Sequence, residues 1–439
     1  MSNDRTEMTG TGPADTAGAG QPTAVGDDSA GKPLRSWTVV GPGLVAAATA
    51  VGAGDLVATL VAGQRFGYAL LWACIVGTVM KIVLVEGVGR WTLATGHTLF
   101  HGWHSIGRWT TWYFAPYIII WGFVYGAAGM SGTGLALSAL FPGTSLTMWA
   151  IISGLVGFAL MWIGRYRLFE KIIAVLVGVM FVTVVGISTL TFRHLPEIIT
   201  GLVPTVPEGS FVYVLSLAGG IGGTITLAAY GYWLSEKGWG GAGWMRVMRL
   251  DNTVSYIVTG IFVIAMLLIG ADMLYSANLA VSDSDQGLVD LAGVLEERYG
   301  KAMSVIYLVG FLSAAFSSVL GVWNGVSLMF ADYLGHLRGL PEGHPDTHSG
   351  GKYYRIYLFW LTFPPMLLLI LGKPTAIIIA YGALGALFMP FLALTLLILL
   401  NSDRVPARWR NGWFLNTVMS VILIAFAALC IHELMGIFG

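Results

Sequence analysis

Gly52-Ala53-Gly54-Asp55 places a carboxylate after two glycines, inside an apolar stretch (residues 38–63) that holds no other acid. A charge at bilayer depth costs at least ~2.5–3.5 kcal/mol on insertion scales, so it is rare without a role. Glycine lets a helix unwind, and unwinding exposes backbone carbonyls. A carboxylate beside freed carbonyls is the chemistry of a cation site, and either a metal ion or an organic amine satisfies it. The plainer reading is that Asp55 only caps a helix that restarts there.

A second glycine-rich interruption reads Ala218-Gly219-Gly220-Ile221-Gly222-Gly223-Thr224-Ile225-Thr226. The Thr226 hydroxyl is a further oxygen donor, although a helical threonine also bonds back to its own helix. Tyr230 and Tyr232 follow and read as packing or interface aromatics. Lys81 and Glu86, five residues apart, read as an internal ion pair or gate. Asn324 and Asp332 read as a packing hydrogen bond and a segment boundary. His97, His101 and His104 have helical spacing with no Cys or acid nearby in sequence, and Trp103, Trp109 and Trp112 adjoin them. That cluster reads as an interfacial helix with a tryptophan anchor rather than a zinc site. Cys74 and Cys430 stand far apart in apolar stretches and offer neither ligand spacing nor a disulfide framework.

The elements that carry these residues follow from composition. Only 10% of residues are charged and the mean hydropathy is +0.75, against about 25% charged for soluble domains. Apolar runs near 20 residues cross a bilayer as helices. Hydropathy predicts eleven spans, near 38–63, 68–89, 112–141, 147–163, 168–192, 211–235, 253–275, 302–334, 354–372, 374–400 and 413–437. The expected class is therefore an all-α integral membrane protein. Residues 1–36 are poor in large apolar side chains and are expected as a disordered cytoplasmic tail, and 37–439 as one membrane domain.

With the N-terminus inside, seventeen Lys and Arg fall on inside segments and five on outside ones. That bias predicts a cytoplasmic N-terminus and, with an odd number of spans, an extracytoplasmic C-terminus. The segment with Asp283, Asp285, Asp290, Glu296 and Glu297 then lies outside, as a solvated acidic loop. Net charge is zero, so nothing suggests nucleic acid. No nucleophile with a paired base and no phosphate loop suggests an enzyme, and no cofactor is expected. Two interrupted spans at matching places in two halves point to inverted repeats around a midplane site. The repeats would span about 37–192 and 210–400, with an eleventh helix at about 413–437.

Gly41-Pro42-Gly43-Leu44, followed by Ala62-Gly63-Gln64-Arg65-Phe66-Gly67-Tyr68-Ala69-Leu70-Leu71-Trp72, resembles the start of the Nramp family of divalent-metal transporters. The resemblance implies a LeuT-type fold of two inverted five-helix repeats. Its departures are informative. The family's Asp-Pro-Gly-Asn motif falls on Gly52-Ala53-Gly54-Asp55, and its Met-Pro-His motif on Thr226-Leu227-Ala228. Its two helix 3 acids fall on Gly126 and Gly129, and a glutamine facing the ion on Gly382. The carbonyls of Thr49 and Gly223 match the family's ligand carbonyls, and Thr224 and Tyr230 are candidates for an outer layer.

Loss of the thioether removes a soft donor. What remains is oxygen, which suits hard cations, and Mg²⁺ retains water readily. Glycine at 52, 126, 129 and 382 and alanine at 228 would widen the cavity around a hydrated ion, and Gly126, Gly129 and Ala228, which cannot titrate, would remove a proton relay. The resemblance is thus to the Nramp-related magnesium transporters, a bacterial branch of the family. It implies uptake of Mg²⁺, with Mn²⁺ tolerated, by a monomer in the bacterial plasma membrane and without proton coupling. The alternatives are a proton-coupled Mn²⁺/Fe²⁺ transporter and a transporter of a small organic cation.

Overall fold

The computed structural model describes residues 41–191, 195–220, 224–275, 286–371 and 374–438. The predicted tail, residues 1–36, lies outside them. Among the described residues there are helices and no strands.

The first span is broken. Pro42 opens α1 (Pro42–Thr49), where its fixed φ and missing N–H suit a first turn. The chain restarts as α2 (Ala53–Phe66) after an extended residue, Gly52, and the two helices are bent by 63°. Next come α3 (Leu71–Thr95), α4 (Leu99–Ile106), α5 (Arg108–Leu140), α6 (Leu146–Trp162), α7 (Tyr166–Thr191) and α8 (Leu195–Gly201). The sixth span is covered by α9 (Phe211–Gly220) and α10 (Ile225–Glu236), on either side of residues 221–223. The rest of the chain forms α11 (Met245–Gly270), α12 (Gln286–Tyr299), α13 (Lys301–Leu337), α14 (Lys352–Leu371), α15 (Pro374–Asn401) and α16 (Trp413–Phe438).

Helices therefore cover all eleven predicted spans. Among the described residues seven helices are long and apolar enough by themselves to cross a membrane, and the bent α1–α2 pair makes eight. α7 shows what surrounds the bundle. Tyr166, Phe169, Ile173, Val177, Met180, Val184 and Ile187 recur every three or four residues and face inward, largely against α13. On the other side Val175, Val182 and Leu190 are exposed, Val182 to 71%. An apolar exterior over an apolar interior marks a multi-pass membrane protein.

α1 packs against α10, α11 and α13, so the break lies within the bundle. α2 and α11 approach backbone to backbone. A Cβ on Gly270 would lie 2.5 Å from the Leu60 carbonyl oxygen, which leaves room only for glycine.

Two peripheral expectations change. The acidic segment is helical over α12, whose Leu288, Leu291, Ala292 and Leu295 are buried beneath its acids. The 3.6-residue spacing of those apolar positions was the missed signal; Asp283 and Asp285 lie outside the described residues. The histidine-bearing segment is helical, as expected, but Trp103 is fully buried and donates to Thr395 Oγ1 at 3.0 Å, while Trp112 is 77% exposed. The anchor is thus split, because α4 turns Trp103 toward α15.

Candidate functional site at the α1–α2 break

Asp55 is the third residue of α2, half-buried, and its Oδ2 accepts the Gly52 N–H at 3.0 Å. The capping reading therefore holds. It does not exhaust the residue, since a carboxylate offers two oxygens and several lone pairs. At the end of α1, Thr49 turns its hydroxyl back to the Val45 carbonyl at 2.6 Å. Its own carbonyl accepts the Ser318 hydroxyl of α13 at 2.8 Å. Ser318 Oγ is also 2.7 Å from the Tyr125 hydroxyl of α5, and the Tyr125 ring stacks on Trp121. A Cβ on Gly52 would lie 3.2 Å from Ser318 Oγ and 3.6 Å from Asp55 Oδ2. The structure thus brings together Thr49, Gly52, Asp55, Ser318 and Tyr125.

Ser318 and Tyr125 were not singled out from sequence. Each is a common polar residue on a long apolar helix, and only the packing of α13 and α5 against the break selects them.

Lys81 on α3 is fully buried, within electrostatic reach of Asp55, and its Nζ lies 3.6 Å from Met389 Sδ. It does not pair with Glu86, as its spacing had suggested. Glu86 instead binds Arg90 at 3.1 Å and Arg249 at 2.9 Å. Five residues along a helix is about 500° of rotation, so the two side chains diverge.

Thr226 is 4% exposed, and its Oγ1 has no hydrogen-bond partner among the described residues. A buried hydroxyl left unpaired is costly, so a ligand or water is its natural complement. Thr224 lies against α15, where a Cβ on Gly385 would meet its Cγ2 at 3.4 Å. Gly223, and the surroundings of Gly382, lie outside the described residues.

Three expectations are corrected by packing. Gly126 does not widen a cavity: a Cβ there would strike the Leu361 carbonyl and come within 2.5 Å of Pro365 Cγ on α14. Gly129 faces Val319 at 3.1 Å and the Tyr125 ring at 3.3 Å. Neighbouring helices have taken up the volume beside Gly126 and Gly129. Tyr230 is not beside Asp55 either. Its hydroxyl donates to Asp251 Oδ2 at 3.1 Å, and Asp251 also accepts the N–H of Gly41 at 2.9 Å and of Gly43 at 2.6 Å. This carboxylate on α11 caps the other end of α1, beside the Lys237–Glu170 ion pair.

Asn324 behaves as expected, joining Trp233 at 2.8 Å and Tyr354 at 3.3 Å, while Asp332 accepts from Tyr232 at 2.7 Å. The histidines do have an acid neighbour, Glu342, brought from 245 residues away in sequence.

The family model described as "Natural resistance-associated macrophage protein-like" (Nramp) matches residues 43–436. The chain belongs to the Nramp family. Among its Nramp relatives is the divalent metal cation transporter MntH of Bacillus subtilis, 24% identical over 91% of this chain and 92% of that one. Another is MntH of Mycobacterium leprae, 27% identical over 67% and 70%. The fold matches the Eremococcus coleocola manganese transporter, solved as a point mutant, with a TM-score of 0.74 and 16% identity over 93% and 90% of the two chains. It also matches MHP1, a nucleobase-cation-symport-1 family transporter, with a TM-score of 0.59 and 14% identity over 90% and 92%. The fold is the expected LeuT type, and the break in α1–α2 lies where this Nramp chain carries the half-buried Asp55.

Proposed function

We propose that this Nramp-family chain carries divalent metal cations through the plasma membrane, and that its preferred cargo is hydrated Mg²⁺, with Mn²⁺ tolerated. One observation carries the reading: the groups bonded around the break are oxygen donors. They are the Asp55 carboxylate, the Thr49 carbonyl and the Ser318 and Tyr125 hydroxyls; on α10, which packs against α1, the Thr226 hydroxyl is a further oxygen donor without a partner among the described residues. Oxygen ligands favour hard cations, and hydroxyls that reach an ion through its retained water suit Mg²⁺. The membrane potential supplies the drive, about 4.6 kcal/mol per 100 mV for two charges entering a negative interior. Access alternates about the α1–α2 break, and the positive-inside bias sets the N-terminus in the cytoplasm. With Gly126, Gly129 and Ala228 unable to titrate, metal moves without protons. The test is Mg²⁺ influx into proteoliposomes with internal pH recorded. Saturable influx without acidification is expected. Absence of Mg²⁺ flux rejects the cargo, and stoichiometric acidification rejects the uncoupled mechanism.

A second reading has its own support. Lys81 is a titratable amine within electrostatic reach of Asp55, and Met389 places a soft sulfur beside it. A divalent ion arriving at Asp55 would repel the ammonium and favour loss of its proton, as in a proton-linked transporter of Mn²⁺ or Fe²⁺. The names of the MntH relatives specify a divalent metal cation, a cargo class that both readings share. In the same proteoliposomes, Mn²⁺ flux far above Mg²⁺ flux, with pH changes abolished by Lys81→Met, would establish it.

A further inference from the structure

Away from the break, the link between α3 and α4 meets the link between α13 and α14. α3 ends on Gly96, whose φ of +75° suits glycine and whose N–H bonds the Thr92 carbonyl at 2.9 Å. The turn sets His97 just before α4. Thr98 caps α4 by accepting the His101 N–H at 3.2 Å, which fixes the backbone that carries the second imidazole. The two rings stack in parallel, with centroids 4.2 Å apart and planes at 10°. Glu342, just beyond α13, closes on them from the other link. Its Oε2 lies 2.8 Å from His97 Nδ1 and its Oε1 2.6 Å from His101 Nδ1.

Two imidazoles and a carboxylate thus converge, one ligand atom from each within 4.8 Å of the others. Asp332 and His336 line the concavity beside His101 and Glu342, and His336 packs against His104 with ring centroids 4.1 Å apart. We infer that His97, His101 and Glu342 form a binding site for a borderline transition-metal ion of the zinc class, separate from the α1–α2 break. Nitrogen and carboxylate ligands at about 2.0–2.2 Å from the ion suit Zn²⁺, with a water as fourth ligand. Ligation through Nδ1 takes each imidazole in its neutral form with the ring proton on Nε2, so the metal replaces the Nδ1–carboxylate hydrogen bonds. The bound ion staples α4, from the first half of the chain, to the α13–α14 link of the second. Rocking of one half against the other then works against that staple, which makes the site an inhibitory one.

The experiment uses the purified full chain in detergent, stripped of metal, with Zn²⁺ measured by equilibrium dialysis and Co²⁺ absorption reporting tetrahedral ligation. Asp55→Ala separates this site from the break. One Zn²⁺ per chain is expected to persist in Asp55→Ala and to bind at least roughly tenfold more weakly when His97→Ala and His101→Ala are combined, a loss on the scale seen for disturbed metal sites. Unchanged Zn²⁺ binding in that double variant, or no Zn²⁺ retained by Asp55→Ala, overturns the proposal. Should the double variant fail to fold, Glu342→Gln carries the same test, since it keeps the shape and one acceptor. Weaker Zn²⁺ binding supports the site and unchanged binding rejects it. In proteoliposomes, sub-stoichiometric inhibition of Mg²⁺ or Mn²⁺ uptake by Zn²⁺ should disappear with the histidines. Inhibition that survives their loss rejects the inhibitory role.

Discussion

The Ser318 hydroxyl donates to the Thr49 carbonyl at 2.8 Å, joining residues 269 positions apart and fastening the end of α1 to α13 where the first span breaks. Through Tyr125 the same hydroxyl reaches α5. A carbonyl released by unwinding is thereby held in place rather than left to solvent, and preorganised ligands bind more tightly than mobile ones.

Ser318→Ala should therefore weaken ion binding without abolishing it. The bond's net worth is about 1 kcal/mol, or roughly fivefold in affinity. Mg²⁺ titration of the purified protein, alongside uptake, checks this. Unchanged affinity would show that the Thr49 carbonyl takes no part.

Asp55 has two roles that two variants separate. Asp55→Asn keeps an acceptor for the Gly52 N–H and removes the charge, whereas Asp55→Ala removes both. Both should lose Mg²⁺ and Mn²⁺ binding at the break. Only the alanine variant should also lose cap stability, by about 1 kcal/mol in thermal unfolding. Full transport by Asp55→Asn would reduce the residue to a cap.

Asp251→Ala should destabilise the fold by about 2–3 kcal/mol, because it strands the buried N–H groups of Gly41 and Gly43 and leaves the Tyr230 hydroxyl only the Met248 carbonyl, at 3.3 Å. The melting temperature in detergent measures it. Asp251→Asn, which keeps acceptor capacity on one oxygen, should lie between wild type and alanine.

Two glycines should respond differently to alanine. At Gly126 the new methyl meets Leu361 and Pro365, so stability falls by about 1–3 kcal/mol with ion preference unchanged. At Gly52 it presses on Ser318 Oγ at 3.2 Å, so ion uptake falls more than stability. Mg²⁺ and Mn²⁺ uptake rates and melting temperatures of the two variants make the comparison. A changed ion preference in Gly126→Ala would restore it to the cavity.

Helix positions were readable because an apolar run near span length has few alternatives in a bilayer, and α7 shows the pattern residue by residue. The break was readable because Gly52 and Gly54 directly precede an acid that is expensive to bury. Gly126 and Gly129 misled because a missing side chain leaves no trace of what fills its place, and α14 and Val319 had moved in. Lys81 and Glu86 misled because proximity in sequence is not proximity on a helix.

By itself the sequence determined an all-helical membrane chain, a first span broken at Gly52, and an acid beside the break, since hydrophobicity, glycine and buried charge are local properties with large free energies. Tertiary structure alone decided which groups stand around that acid. Ser318, Tyr125 and Lys81 reach the break from three other helices, and Glu342 reaches His97, and with it His101, from 245 residues beyond His97. Such partners are selected by how helix faces pack, and a polar residue on a long apolar helix carries no mark of the neighbour it will meet.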